Sequence, residues 1–170
     1  VYNPKSVFDT GLTDLMTEIL QDVFQSGTAR SAATLGFDRP AAGKTGTTSD
    51  HRDSWFAGYT PELTTVVWVG VDIGSTVDEK GKATVKLTGA SSALPVWVDY
   101  MKPALEDHPP VPFPVSEFLT TLRIDRKTGQ LAYSSCPEDH VTVEKYLVNQ
   151  EPEERTCEDE WPISEPVTEL

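Results

Sequence analysis

The residues of this 170-residue chain best suited to chemistry are Ala42-Gly43-Lys44-Thr45-Gly46-Thr47-Thr48. A cation stands among small residues and hydroxyls, with a glycine on each side of the Lys-Thr pair. In an extended strand, Thr45 and Thr47 lie two residues apart and share a face, so their hydroxyls suit the grip of a carboxylate. Lys44 adds positive field beside them. Gly46 has no side chain and lets a ligand backbone come close. An exposed strand edge would offer N–H and C=O groups to an extended peptide, and one such N–H would serve an oxyanion hole. Taken alone, Lys-Thr-Gly-Thr also reads as a turn with a solvated lysine. A phosphate-binding loop is excluded, because the glycine required five positions before Gly43 is Asp38 and no apolar strand precedes it.

The surrounding elements give the stretch its setting. Pro40 to Asp72 reads as three consecutive strands in an antiparallel meander. The second strand is the aromatic run Ser54-Trp55-Phe56-Ala57-Gly58-Tyr59-Thr60, and the third is the β-branched run Thr64 to Asp72. Thr60-Pro61-Glu62-Leu63 suits the tight turn between them. Before the meander, Leu15, Met16, Ile19, Leu20, Val23 and Phe24 recur at helical spacing and predict a helix packed on a core. Thr10 or Thr13 is its expected N-cap and Gly27 its stop. After the meander, Ile73 to Thr88 reads as a loop or weak hairpin. Leu94, Trp97, Val98, Met101 and Leu105 then define a second helix, with Pro95 in its first turn, Ser91 or Ser92 near its cap and Pro103 at a bend or end. Trp55, Phe56, Tyr59 and Trp68 are expected in the sheet core. Arg52 and Asp53 are expected to stabilise a turn, and His51, His108 and His140 to take ordinary surface or turn roles.

Composition divides the chain. Net charge is −13, with a balance of −3 over residues 1–104 and −10 over residues 105–170. An acidic surface repels phosphate backbones, which excludes nucleic acid as a natural partner. His108 to Pro114 is a stiff proline-rich linker. Beyond it, Leu119 to Asp125 and Gln130 to Tyr133 flank a hairpin turn with Gly129 where positive φ is needed. The rest, through Glu151-Pro152-Glu153-Glu154, reads as acidic and irregular, the run from Glu151 to Glu160 as a solvated face, and the last residues as disordered. Cys136 and Cys157 are too far apart for a redox or zinc pair. Two readings are open for them, a disulfide or two unrelated thiols. Bridged, they would stabilise the fold by about 3 kcal/mol. No apolar run is long enough for a membrane span. Val1 is not an initiator methionine, so the chain reads as a piece of a longer protein.

The motif extends beyond Lys-Thr-Gly. Arg52-Asp53-Ser54-Trp55-Phe56-Ala57-Gly58-Tyr59-Thr60-Pro61 follows it, then Val67-Trp68-Val69-Gly70 and Ala93-Leu94-Pro95-Val96-Trp97. Upstream lie Leu15-Met16 and the segment Val23 to Arg30, containing Ser26-Gly27-Thr28-Ala29. Together these resemble the end of the transpeptidase domain of class A, bifunctional penicillin-binding proteins. The hairpin around Ile124-Asp125 and Thr128-Gly129 and the Cys136-Pro137 step are similar to the tail found in some members. The resemblance covers roughly residues 2–160.

The resemblance implies an α+β fold: an antiparallel sheet with helices on both faces, of the penicillin-binding transpeptidase and β-lactamase-like kind, plus a small β-containing appendage. It divides the chain into residues 1–108, the C-terminal portion of the transpeptidase domain, and residues 109–170. It implies a peptidoglycan cross-linking D,D-transpeptidase on the extracytoplasmic face of a bacterial membrane, with stem peptides and β-lactams as ligands, the remainder of its own domain as partner, and no cofactor or metal. Lys44 would give electrostatic support. Thr45, Gly46 and Thr47 would bind the terminal carboxylate, and the Thr47 N–H would help hold the oxyanion. Ser-x-x-Lys and Ser-x-Asn, the family's other motifs, are absent from this chain. In the family they precede the Lys-Thr-Gly strand, so the chain alone is expected to be inactive and to expose apolar surface where missing elements pack. The alternatives are a D,D-carboxypeptidase or β-lactamase-type hydrolase, or a non-catalytic interaction module of the same fold. Upstream sequence would discriminate them.

Overall fold

The computed structural model describes residues 5–49, 51–71 and 85–157. Helix α1 (Thr10–Gln25) is followed by a 3-10 helix at Arg30–Leu35 and by strands β1 (Ala42–Thr47), β2 (Asp53–Tyr59) and β3 (Thr64–Gly70). Then come helix α2 (Leu94–Ala104), β4 (Leu119–Asp125), β5 (Leu131–Ala132), β6 (Val141–Leu147) and β7 (Arg155–Thr156). The described residues form two compact units, one from Met16 to Val115, the other from Ser116 onward together with the residues up to Leu15.

In the first unit the meander forms as expected, an antiparallel sheet in the order β1-β2-β3. Register runs Lys44↔Ala57, Thr45↔Phe56, Gly46↔Trp55 and Thr47↔Ser54, then Phe56↔Val67. Cross-strand partners share a face, so Gly43, Thr45, Thr47, Ser54, Phe56 and Gly58 look one way. Lys44, Gly46, Trp55 and Ala57 look the other. α2 buries Leu94, Trp97, Val98 and Met101. Trp97 packs edge-on against Phe37 and Phe56, at centroid distances of 4.9 and 5.2 Å, and Phe24 completes the cluster. The Trp97 indole N–H donates to Gly58 O and Thr65 O at 3.3 and 3.2 Å, so its one polar atom is satisfied inside the core. A Cβ at Gly58 would stand 2.7 Å from Phe56 Cε1 and 2.9 Å from Trp97 Cε2, which is why glycine is needed there.

Four expectations change. α1 is capped by Asp9, whose carboxylate accepts the Leu12 N–H at 3.1 Å, not by Thr10 or Thr13; the Thr13 hydroxyl instead donates to Thr10 O. The apolar stripe of α1 is split. Val23 and Phe24 join the core, while Leu12, Met16 and Ile19 are exposed, because periodicity says that a face is apolar and not whether this chain covers it. The second helix begins earlier than its apolar spacing. Gly89–Ala93 forms a π-turn capped by Thr88, which accepts the Ser91 N–H, and Pro95 follows in the first turn of α2. Of the four aromatics assigned to the sheet core, Phe56 is fully buried, but Trp55 and Trp68 are 46% and 55% exposed. They pair across β2 and β3 on the opposite face, with Val66 also exposed beside them. Strand alternation alone dictates that Trp55 and Phe56 face apart. The loop expected over Ile73 to Thr88 falls largely outside the described residues.

The second unit is more ordered than its composition suggests. Its sheet runs β6-β4-β5-β7, and β4 pairs antiparallel with β6 from Leu119↔Leu147 to Asp125↔Val141. β6 lies inside the segment expected to be irregular. The expected hairpin is present, with Gly129 at φ 73°, and β7 adds parallel to β5. Cys136 and Cys157 form a disulfide, their Cα atoms 5.8 Å apart. The core is small: Ala132, Cys136 and Val141, with Cys157 against it. The Asp125 side chain holds the turn, accepting the Lys127 N–H at 2.9 Å and the Thr156 hydroxyl at 3.1 Å. The amide of Lys127, the largest influence, holds this carboxyl below its ordinary pKa, with the Thr156 and Thr128 bonds adding to it against the opposing effect of burial. The last residues of the acidic run, from Glu158 on, and the end of the chain lie outside the described residues.

Candidate functional site

β1 is the edge strand of its sheet among the described residues, and the direction of its open groups follows from one bond. The Thr48 N–H donates to Asp53 O across the β1–β2 pairing at 3.0 Å. Antiparallel ladders alternate, so Gly46 and Lys44 bond toward β2, and the N–H and C=O of Thr45 and Thr47 face the open side. The Lys44 ammonium bends to that same side, donating to Thr45 O at 3.1 Å. The edge thus gathers two backbone N–H donors and a cation along Lys44-Thr45-Gly46-Thr47. Such an array stabilises negative charge, and its strand form accepts an extended peptide.

The side chains are held from two directions. The Thr45 hydroxyl is 2.9 Å from the Thr28 hydroxyl, which comes from the turn after α1. The Thr47 hydroxyl accepts the Gly89 N–H at 3.1 Å. Gly89 lies against the strands: a Cβ there would stand 2.6 Å from Trp55 O and 2.7 Å from Thr45 Cβ, so only glycine fits. Thr88, which caps the π-turn, is 2.7 Å from the Ser91 hydroxyl. Gly46 is roomy toward the opposite face except for Trp55, whose Cβ would lie 3.2 Å from an added Cβ.

The turn after β1 is organised by Thr48. Its hydroxyl accepts the N–H groups of Arg52 and Asp53 at 3.2 and 3.0 Å, and His51 takes φ 57°. Asp53, expected to stabilise this turn with Arg52, accepts the Trp68 indole N–H at 3.0 Å through its carboxylate, fixing the exposed Trp68 ring. His51 meets Leu87 through backbone and ring. His108 offers its carbonyl to Arg39, and His140 ends a 3-10 turn, Glu138–His140, just before β6. Among the described residues no group of three His, Cys, Asp or Glu is placed to hold a metal ion.

The structure therefore brings Lys44, Thr45, Gly46 and Thr47 together on one edge, while Cys136 and Cys157 belong to the other unit. Sequence reasoning passed over Thr28 and Gly89. The signal for Thr28 is the segment Ser26-Gly27-Thr28-Ala29.

This combination, a three-stranded antiparallel sheet presenting Lys-Thr-Gly-Thr on its open edge with a core helix behind it, defines the class of the penicillin-binding transpeptidase fold. No family model matches the chain. Penicillin-binding protein 1A of Rickettsia bellii is 34% identical over 139 residues, covering 82% of this chain and 17% of that protein. The protein of the same name from Pseudomonas aeruginosa is 39% identical over 131 residues, covering 77% and 15%. A crystal structure of penicillin-binding protein 1A from Haemophilus influenzae matches 89% of this chain and 22% of that one, at 28% identity and a TM-score of 0.70. The chain is a part-length relative of the penicillin-binding proteins 1A, and it spans less than a fifth of the two curated relatives above. No helix among the described residues is long and apolar enough to cross a membrane.

Proposed function

We propose that the chain is the strand-bearing part of a peptidoglycan cross-linking D,D-transpeptidase. Residues 1–108 are the C-terminal portion of the transpeptidase domain, and residues 109–170 are a linker and appendage. The observation that carries this reading is the open edge of β1, where the outward N–H groups of Thr45 and Thr47 stand with the Lys44 ammonium. A stem peptide ending in D-Ala-D-Ala lies along that edge as an added strand. Thr45 and Thr47 hold its terminal carboxylate, and Gly46 leaves room for its backbone. The Thr47 N–H stabilises the oxyanion that forms when a serine attacks the penultimate carbonyl. That serine lies outside this chain, in which no Ser-x-x-Lys occurs. Terminal D-Ala leaves, and the acyl group passes to an amine of a neighbouring stem. A β-lactam occupies the same edge through its own carboxylate. The chemistry takes place on the outer face of the membrane, through an anchor elsewhere in the parent.

A fluorescent penicillin tests this. It should label the full-length parent covalently, and Lys44→Ala in the parent should slow labelling on the order of a hundredfold, as loss of a preorganised charge at a developing anion does. The isolated chain should not be labelled. A parent that resists labelling, or stable labelling of the chain alone, would overturn the assignment.

A further inference from the structure

We propose that Thr28 and the Gly89 N–H are positioning groups that orient the Thr45 and Thr47 hydroxyls, making the β1 edge selective for a carboxylate over its ester or amide. This rests on the reading of β1 as a ligand-binding edge and adds to it the residues that set its selectivity. A threonine hydroxyl carries one proton and accepts through its lone pairs. At Thr47 one lone pair of the hydroxyl accepts the Gly89 N–H at 3.1 Å, so the hydroxyl proton is directed away from Gly89 and is there to be given away. At Thr45 the hydroxyl is 2.9 Å from that of Thr28. The two share one bond and hold two protons, so the pair has one proton left to donate. The outward N–H groups of Thr45 and Thr47 and the Lys44 ammonium are also donors. An edge this rich in donors is complemented by a group that only accepts, and an ionised carboxylate accepts through both oxygens.

Both positioning groups are held rigidly. Gly27, just before Thr28, admits no side chain, since a Cβ would stand 2.7 Å from Val23 Cα. The Ala29 N–H donates to Val23 O and the Arg30 N–H to Gly27 O, fixing the turn that carries Thr28. Gly89 is pressed against Thr45, Gly46 and Trp55, and the Thr88 cap on Ser91 sets the direction of the π-turn. Thr28 itself is exposed, so replacing it leaves the buried aromatic cluster untouched.

The test compares Thr28→Val and Thr28→Ser in the full-length parent. Two probes are used: a fluorescent penicillin with its free carboxylate and the methyl ester of the same compound. The ratio of their second-order labelling rates is read, since it does not depend on the fraction of protein that is folded. Thr28→Val should lower the acid-to-ester ratio about tenfold, the size of one misdirected hydrogen bond to a charged group. Thr28→Ser, which keeps the hydroxyl, should hold the parental ratio. If Thr28→Val slows both probes by the same factor, or leaves the ratio unchanged, Thr28 is merely structural and the proposal fails while the transpeptidase reading stands. If the unaltered parent is not labelled at all, the transpeptidase reading fails and this inference falls with it.

Discussion

The two units of the chain reach stability by different routes. The unit from Met16 to Val115 is held by a cluster of large rings, Phe24, Phe37, Phe56 and Trp97, with Trp97 fully buried and its indole satisfied by two strand carbonyls. It also leaves much unpaired: the β1 edge is open and Trp55, Val66 and Trp68 are exposed. Among its described residues the second unit has a small buried cluster, Ala132, Cys136 and Val141, and a disulfide, and its turn is organised by the Asp125 carboxylate. The difference teaches what an apolar core permits. A unit with buried aromatics can leave an edge free for a ligand. A unit too small for such a core needs a covalent crosslink and a satisfied polar network in its place.

That contrast can be broken first at Trp97. Replacing it with alanine should remove about 3–5 kcal/mol, the range for emptying a buried aromatic site, and should do so only in the first unit. Hydrogen exchange of β2 and β3 amides, compared with β4 and β6 amides, reads both units in one experiment. Equal loss of protection in both would show that they are not separate units of stability.

The complementary change is Cys136→Ser with Cys157→Ser. Opening a loop whose ends are 21 residues apart should cost the second unit about 3 kcal/mol in the chain-entropy model. The β4–β6 amides should lose protection and the β1–β3 amides should keep theirs. A second unit indifferent to the change would mean that its small core suffices.

The smallest effect, and the sharpest discriminator, is acid sensitivity. Asp125 has its pKa lowered in the folded state, chiefly by the Lys127 amide, from an ordinary value of 3.8. A carboxyl of this kind contributes stability that is present above its unfolded pKa and is lost as pH falls through the folded one. The second unit should therefore weaken below about pH 4, and Asp125→Asn should flatten that dependence while lowering stability at neutral pH. Urea midpoints followed through Tyr133 or Tyr146 from pH 6 to pH 2 would show it. An unchanged acid limb in the variant would remove Asp125 from the account.

Much of the first unit was legible in the sequence because its signals are local. Strand composition and Pro61 at a turn placed β2 and β3, and the spacing of Leu94, Trp97, Val98 and Met101 placed the buried face of α2. What was misread depended on pairing. The sequence does not single out Asp9 as the cap, because Thr10 and Thr13 are equally able residue types nearby. The exposure of Trp55 and Trp68 follows from which face α2 covers, and aromatic content cannot report that. β6 is not legible in the sequence because Glu144 and Lys145 interrupt its apolar alternation, although Val141-Thr142-Val143 and Tyr146-Leu147 carry strand-forming residue types. It is a strand because β4 offers a full-length partner.

By itself the sequence determined the candidate site's chemical types: a lysine, two hydroxyls and a glycine at strand spacing, with the resemblance that spacing carries. It also determined that no Ser-x-x-Lys accompanies them. Only the tertiary structure decided which way those groups look. The phase of the β1–β2 ladder turns the Thr45 and Thr47 amides outward, and residues distant in the chain, Thr28 and Gly89, take hold of their hydroxyls. Residue type is a local property, but the direction of a donor is set by whatever partner occupies its other side, and that partner comes from elsewhere in the fold.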